Sequence, residues 1–417
     1  MSTLRSKSGG GALVSALPLA IQALVRLGSS FLTVKFVTIC LAPSQFIVYG
    51  QIQTLMQIYS AFTASVGSTK LAAVVARKDR QEEKSEVLDT SIFLVVGLAF
   101  ILFVGTAIFN ESIQRYIGIF DSASAVLLLP LGALAVAYTA IVQAYYTGSG
   151  DAYRFSKSSI LSVSIIGLST VAMTAYFGQA GALLSIGISP IVAAVVIGVF
   201  DKALKLPRPG NVRLKMGLEL SGFTISSIIS LVGYYFAQLY IRSNYVQEVS
   251  AHEAGLLVAA ARISDVYMGI VSVFCANFLT KAYASVKHSQ RTLSLVRFYL
   301  YFSLICLPAF LVLAIWADVL IPIILSRKYV EAVGHLKMQI CGDILKCFYW
   351  ISIYYVIGRF STKTYFSIEI FGLAIYLLMA VVNPFNSIRY APQVAQIVEY
   401  AVLIMTVNLT IALKKND

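Results

Sequence analysis

The chain has 417 residues, of which 58% are hydrophobic and only 12% are charged, and its mean hydropathy is +0.81. A soluble domain is about one-quarter charged, so this composition excludes an ordinary soluble protein, a disordered chain and a disulfide scaffold. Lys and Arg number 32 against 19 Asp and Glu, which gives a net charge of +13. These cations are spread between long apolar runs, which does not indicate a nucleic-acid binder. The composition predicts a polytopic membrane protein.

Long apolar runs predict an all-α fold with about twelve transmembrane helices, because a helix needs about 20 mainly apolar residues to cross a bilayer. The connections between the runs are short, and none can hold a separate soluble domain. The predicted spans are Leu13–Thr38, Phe46–Val75, Val87–Phe109, Ile119–Tyr146, Phe155–Phe177, Ala180–Phe200, Leu218–Ile241, Ala254–Leu279, Thr292–Ile315, Leu336–Ile357, Thr364–Val382 and Val394–Leu413.

The distribution of Lys and Arg predicts the orientation of the chain. One set of alternate connections holds most of the loop cations, such as the run from Arg77 to Lys84. The opposite set holds only Arg115, Arg242, Arg327, Lys328 and Arg389. By the positive-inside rule, both termini are predicted to be cytoplasmic. The first apolar stretch has no convincing cleavage site, so we interpret it as a retained helix and not as a secretory signal.

The second half of the sequence resembles the first at an offset of about half the chain. Gly150 follows a tyrosine pair, and so does Gly358. Lys35 ends the first span, and Arg242 follows the seventh. Together with the number of spans, these matches predict two six-helix halves, residues 1–205 and 206–417. Parallel repeats of this kind suit a transporter whose halves move about a central site.

Several charges fall inside the predicted spans, where each costs about 2.5–3.5 kcal/mol at the helix centre and is therefore a functional candidate. Arg26 is the strongest, because it lies near the middle of its span. Arg262 and Asp265 are three residues apart on one helix face and are expected to pair, and Asp343 and Lys346 repeat the spacing. Such pairs either neutralise each other or exchange partners during transport. The remaining candidate is Lys70.

No pattern of cysteines or histidines has metal-ligand spacing, so the sequence predicts no metal or cofactor. A nucleophile–base motif and a phosphate-binding loop are also missing. The sequence therefore predicts a transporter and not an enzyme.

Three short motifs resemble the Wzx family of bacterial flippases, which belongs to the multidrug/oligosaccharidyl-lipid/polysaccharide exporter superfamily. They are Arg262-Ile-Ser-Asp-Val-Tyr267, Ile324-Leu-Ser-Arg-Lys-Tyr329 and Gly342-Asp-Ile-Leu-Lys346. The resemblance is greatest from about Leu218 to Val382, and is nearest to the branch that carries lipid III. It places Asp265, Asp343 and Lys346 in matching motifs, whereas Arg26 and Lys35 fit by position alone.

This resemblance implies two helical bundles that form a V-shaped central groove with a cationic lining in the bacterial inner membrane. The expected cargo is a polyprenyl-pyrophosphate-linked oligosaccharide, of O-antigen or enterobacterial common antigen type. Arg26, Lys35, Lys70, Arg262 and Lys346 would contact it, and Asp265 and Asp343 would couple transport to an ion or proton gradient, as in an antiporter. An O-antigen polymerase and a chain-length regulator are the expected protein partners, besides membrane lipids.

Two other functions stay open at this stage. A multidrug exporter of the same superfamily shares the twelve-span plan, but a central Arg26 would repel the cationic drugs that such proteins export. A membrane-embedded glycan polymerase is the second alternative, but such enzymes generally carry a sizeable hydrophilic loop.

Overall fold

The computed structural model describes residues 10–64, 69–76, 81–117, 123–200, 212, 214–275, 291–359, 362–382 and 389–413. In these ranges the regular structure is helical. The helices are α1 (Gly10–Cys40), α2 (Pro43–Ala64), α3 (Thr69–Ala76), α4 (Gln81–Ile117), α5 (Ala123–Ser149), α6 (Ala152–Phe200), α7 (Leu214–Glu248), α8 (Ala251–Phe274), α9 (Arg291–Ile315), α10 (Ala317–Ile324), the 3-10 helix η1 (Arg327–Ala332), α11 (Val333–Arg359), α12 (Thr362–Val382) and α13 (Ala391–Leu413).

The predicted all-α class is confirmed, and a helix lies at the position of each predicted span. In the described part of the chain, six segments are long and apolar enough to cross a membrane. They are Ile21–Cys40, Glu82–Ile117, Ser124–Ser149, Tyr153–Phe200, Leu295–Ile315 and Ala391–Leu413. The crossing of all twelve spans stays a prediction.

Helix α6 is broken at Gly178, where the sequence predicts the boundary between two spans. Gly178 has φ 57° and ψ −130°, which are not helical angles. A positive φ is accessible to glycine because it has no Cβ. The 49 residues of α6 therefore form two helical segments, as predicted from the runs Phe155–Phe177 and Ala180–Phe200.

The described chain divides into two compact units, which we call the first and the second unit. The first comprises Met1–Thr33 and Ile52–Val232, and the second comprises Val34–Gln51 and Gly233–Asp417. Helices α1, α2 and α7 thus contribute residues to both. The division into two six-helix bundles at residues 205 and 206 stays a prediction.

The first unit is packed around α3, α4 and α5, whose apolar faces form one buried cluster that includes Leu71, Val87 and Ile141. Helices α5 and α6 approach closely at two glycines. A Cβ on Gly132 would lie 2.9 Å from the Cα of Gly187. Small residues at such crossings bring the backbones together, which is how membrane helices gain dispersion contacts.

The second unit is packed around α11, α12 and α13, with Tyr349, Ile368 and Leu403 in its main buried cluster. Helix α8 begins after Ser250, whose hydroxyl accepts a hydrogen bond from the backbone N–H of Glu253 at 3.1 Å. Ser250 and Glu253 have the spacing of a capping box, although here the Glu253 carboxylate binds other partners.

The motif from Ile324 to Tyr329 binds the carboxyl end of α1. The carbonyl oxygens of Thr38, Ile39 and Leu41 accept hydrogen bonds from Ser326 Oγ at 3.0 Å, Lys328 Nζ at 2.9 Å and Tyr329 OH at 3.1 Å. Thr38 and Ile39 lie in the last turn of α1, where the carbonyls have no intrahelical donors, and Leu41 directly follows the helix, so these side chains satisfy the carbonyls at its carboxyl end. This structural role accounts for one of the three motifs noted in the sequence.

Candidate functional site

A buried group of polar side chains in the second unit surrounds Asp343 on α11. Its side chain is only 1% exposed. Oδ2 accepts hydrogen bonds from Ser264 Oγ and Tyr267 OH of α8, each at 2.5 Å, and Oδ1 accepts one from Gln339 Nε2 at 3.2 Å. The same amide nitrogen donates to Gln396 Oε1 of α13 at 3.0 Å. This group, which we call the Asp343 network, therefore connects α8 to α11 through the Asp343 carboxyl group and α11 to α13 through the Gln339 amide.

Helical spacing explains why these side chains meet. Ser264 and Tyr267 are three residues apart on α8, and Gln339 and Asp343 are four apart on α11, so each pair shares one face of its helix. The two faces turn toward each other. Neutral donors surround a buried acidic group, which is expected of an intramembrane carboxyl that has a specific role.

Arg262 and Asp265 form the ion pair that their spacing predicts. The distance from Arg262 Nη1 to Asp265 Oδ2 is 3.0 Å. The two partners differ in environment, because the arginine side chain is 12% exposed and the aspartate is 61% exposed. The Nε atom of Arg262 is buried and has no hydrogen-bond partner among the described residues. The hydrogen-bonding groups of the Arg262 guanidinium are therefore only partly satisfied by the described residues.

Asp343 and Lys346 do not form the ion pair that their spacing suggested. The carboxylate is occupied by the donors from α8 and by Gln339. Lys346 Nζ instead lies 5.4 Å from the ring centroid of Trp350 and 5.9 Å from that of Tyr400. Cation–π contacts of this kind stabilise a lysine without neutralising it.

Arg26, Lys35 and Lys70, the other predicted cationic residues, are not among the residues that form the Asp343 network. Arg26 is exposed near the middle of α1 in the first unit, and no described carboxylate pairs with it. Lys35 belongs to the second unit, where its Nζ donates to the carbonyl oxygen of Pro322 at 2.8 Å. The backbone of Lys70 lies in α3, but its side chain is outside the described part of the structure.

Glu399 of α13 is a buried acidic residue that is not among the candidates predicted from the sequence. Its side chain is 4% exposed, and Oε2 is buried with no hydrogen-bond partner among the described residues. Glu399 follows Gln396 by three residues, which places it on the same face of α13. That spacing is visible in the sequence, whereas the position of Gln396 beside Gln339 depends on tertiary packing.

The sequence pattern of the family described as "Polysaccharide biosynthesis protein" matches residues 40–334, which is more than half of the chain. The chain belongs to this family. This polysaccharide biosynthesis protein is also similar to the lipid III flippase of Escherichia coli (strain K12), with 24% identity over 380 residues, which are 87% of this chain and 88% of the relative. The lipid III flippase of Shigella flexneri matches to the same extent.

Two solved structures have the same fold as this family member. An inward-facing MATE family transporter of the MOP superfamily has a TM-score of 0.76 at 15% identity, over 96% of this chain and 99% of the transporter. The lipid II flippase MurJ in an inward closed conformation has a TM-score of 0.73 at 13% identity, over 97% of this chain and 89% of MurJ. The chain is thus a multi-pass membrane protein with the fold of these two proteins. Its relatives are flippases and transporters and not enzymes, in agreement with the sequence analysis.

Proposed function

We propose that this protein translocates a polyprenyl-pyrophosphate-linked oligosaccharide from the cytoplasmic to the periplasmic leaflet of the bacterial inner membrane by alternating access. The cargo is an O-antigen or enterobacterial common antigen unit. One observation carries the proposal, namely that a chain of the polysaccharide biosynthesis family aligns with lipid III flippases over 87% of its length. The polyprenyl tail would stay in the lipid while the pyrophosphate and sugars pass through the protein.

The exposed guanidinium of Arg26 supports an anionic cargo. An unpaired cation in a membrane helix needs water or an anion to offset the cost of leaving bulk solvent. No described carboxylate supplies that charge. A pyrophosphate would supply it, and Coulomb attraction is stronger where the local dielectric constant is lower than that of water. Arg262 would contribute in the same way, because its Nε has no described partner.

Asp343 and Asp265 are the proposed coupling residues. Uptake of a proton by Asp343 would change the charge inside the junction of α8, α11 and α13, because its carboxyl oxygens bind Ser264, Tyr267 and Gln339. A ligand shifts a conformational equilibrium only as far as it binds the two states differently. The Asp343 network makes such a difference possible, since the carboxyl group joins α8 to α11 and its partner Gln339 also binds Gln396 of α13.

A reconstituted assay tests the proposed function. Proteoliposomes that contain the protein are loaded with a polyprenyl-pyrophosphate oligosaccharide, and its arrival in the other leaflet is followed by a membrane-impermeant lectin or glycosidase. Protein-containing vesicles should translocate the lipid, while protein-free vesicles should not. The proposal is wrong if equal amounts of folded protein give no translocation with any lipid-linked oligosaccharide offered.

Replacing Arg26 by alanine should lower the initial rate of translocation by about tenfold or more, because removal of one charge-assisted contact costs about 1.5–3 kcal/mol. The rate is measured in the same proteoliposomes. Arg115→Ala is the matched control, since Arg115 is 74% exposed and pairs only weakly with Glu111 at 3.8 Å. If both variants translocate at the rate of the parent protein, Arg26 does not contact the cargo.

The similarity to the MATE transporter favours one second candidate, an exporter of small molecules. A strain that lacks the gene for such an exporter would become sensitive to cationic drugs. If the protein is instead a lipid-linked oligosaccharide flippase, deletion of its gene would leave drug resistance unchanged and cause loss of the surface glycan.

Association with a polymerase and a chain-length regulator remains a prediction. The cytoplasmic position of both termini also remains a prediction.

A further inference from the structure

A second polar cluster, separate from the Asp343 network, surrounds the buried His335 near the start of α11. Its side chain is 0% exposed. Nε2 lies 3.1 Å from Glu253 Oε2 in the first turn of α8, and Nδ1 lies 3.0 Å from Gln393 Nε2 in the first turn of α13. The ring of Tyr390 packs against the imidazole at 5.1 Å with an interplanar angle of 75°. One histidine thus contacts three segments of the second unit.

Glu253 connects this histidine to an arginine. Arg389 Nε donates to Glu253 Oε2 at 2.9 Å, and Arg389 Nη2 lies 2.8 Å from Oε1, so the guanidinium binds both carboxylate oxygens. The backbone carbonyl of Arg389 accepts a hydrogen bond from Tyr245 OH at 2.5 Å. Residues 245, 253, 335, 389 and 393 therefore form a single hydrogen-bonded group, which we call the His335 cluster.

The contacts of His335 relate its charge state to the orientation of the Gln393 amide. With the amide nitrogen toward Nδ1, that ring nitrogen accepts a hydrogen bond, and the imidazole is neutral with its proton on Nε2 and donated to Glu253. The other atom of that amide, Gln393 Oε1, is buried with no hydrogen-bond partner among the described residues. A half-turn of the amide would exchange its nitrogen and oxygen, and the oxygen could then accept from a protonated Nδ1.

We propose that His335 is a proton-binding site that responds to the pH of the medium on its side of the membrane and loosens the junction of α8, α11 and α13 when it is protonated. The distribution of loop cations predicts that this side is the outer one. The proposal is independent of the cargo, because no residue of the His335 cluster is among those assigned to cargo or to coupling.

Burial supports the neutral form in the present structure. It lowers the pKa of His335 from its ordinary value, an effect that the nearby Arg389 strengthens and the contact with Glu253 opposes. For Glu253, burial alone would raise the pKa, but the hydrogen bonds from His335 and Arg389 hold it below its ordinary value. Protonation of His335 would require Glu253 to balance two cations instead of one.

Other titratable and charged groups near the His335 cluster are paired among themselves. Exposed His252 lies 3.3 Å from Glu331 of η1. Lys337 of α11 lies 3.1 Å from Asp318 of α10, and both are exposed. The experiment must distinguish these pairs from His335.

The stability that this neutral histidine contributes has a defined pH dependence. Since its folded-state pKa is lower than its unfolded-state pKa of about 6.5, the contribution is complete above about pH 6.5 and falls as the pH drops toward the folded-state value. The contribution of Glu253 is lost only at lower pH, below its ordinary value of about 4.3. Mild acid therefore tests His335 first.

The first test is the apparent Tm of the full-length protein in lipid nanodiscs. The Tm of the parent protein should fall by about 2–4 °C between about pH 8 and about pH 5, and His335→Gln should remove most of that fall because glutamine does not titrate. His252→Gln is the matched control and should keep the full pH dependence. If His335→Gln loses as much Tm in acid as the parent, the proposal is overturned.

The second test needs no change at His335 and therefore holds even if His335→Gln does not fold. The chain contains three histidines, so the side-chain NMR signals of histidine can be assigned by comparison with His252→Gln and His288→Gln. We expect the remaining signal to be that of a neutral ring protonated on Nε2 at neutral pH, and to titrate below the ordinary range. A charged ring at neutral pH, or titration at about 6.5 as in a free histidine, would contradict the proposal.

Discussion

Replacing Asp343 by asparagine should abolish the response of translocation to an imposed proton gradient and lower the initial rate by about tenfold. Asparagine offers one acceptor oxygen and an NH2 group where the aspartate offers two acceptors. Ser264, Tyr267 and Gln339 all donate to this carboxyl, so the NH2 group would replace the acceptor of at least one of these hydrogen bonds. A buried hydrogen bond that cannot form costs about 1–3 kcal/mol, and about 1.4 kcal/mol corresponds to a tenfold change. Proteoliposomes with and without a pH gradient provide the measurement.

Asp318→Asn is the control for this substitution. Asp318 is 64% exposed and pairs with Lys337 at 3.1 Å, so loss of its charge should leave both the rate and the gradient response unchanged. Size-exclusion profiles of all three proteins establish that they are folded. A folded Asp343→Asn protein that still responds to the gradient like the parent would show that Asp343 does not couple transport to protons.

Local sequence patterns predict those parts of the fold that depend on neighbouring residues. Apolar runs of about 20 residues predict the helices, because a segment in lipid must hydrogen-bond its own backbone N–H and C=O groups, and a helix does so. The run that contains Gly178 shows how far this reasoning reaches. An apolar segment too long for one span, with a glycine in its middle, correctly predicts two helical segments, and Gly178 has the positive φ that breaks α6.

The sequence could not predict which helices meet. The spacing of Arg262 and Asp265 gives their ion pair correctly because both lie on α8. The same spacing suggests a pair between Asp343 and Lys346, but donors from α8 occupy the carboxylate and aromatic rings hold the lysine. A pair on one helix forms only when no other helix offers a better partner, and that information is tertiary.

The motif from Ile324 to Tyr329 illustrates the same limit. Its resemblance to a transporter family singles the motif out in the sequence but does not say what it binds. Its residues bind carbonyls at the carboxyl end of α1, almost 290 positions earlier in the chain. Polar side chains in a loop that is predicted to be outer could equally bind water or cargo. Only the structure shows that three of them cap a helix, and this assigns the motif a role in stability.

Replacing Gly255 by alanine should destabilise the protein by about 3 kcal/mol or more, a larger effect than most single substitutions have. A methyl group on Gly255 would overlap the carbonyl carbon and oxygen of Pro43 and lie 3.0 Å from its Cα. These are backbone atoms at the start of α2, and they cannot move aside as a flexible side chain would. Relief of the overlap must separate α8 from α2, which also disturbs the contact of Gly50 with Val258. Denaturant or thermal unfolding in nanodiscs measures the loss.

Gly269→Ala on the same helix separates this steric effect from a general effect of alanine. A Cβ on Gly269 would meet no described atom within 4 Å. Because alanine favours a helix over glycine by about 1 kcal/mol, this control should be neutral or slightly stabilising. If Gly255→Ala is as stable as Gly269→Ala, α8 and the start of α2 do not approach as closely as the structure describes.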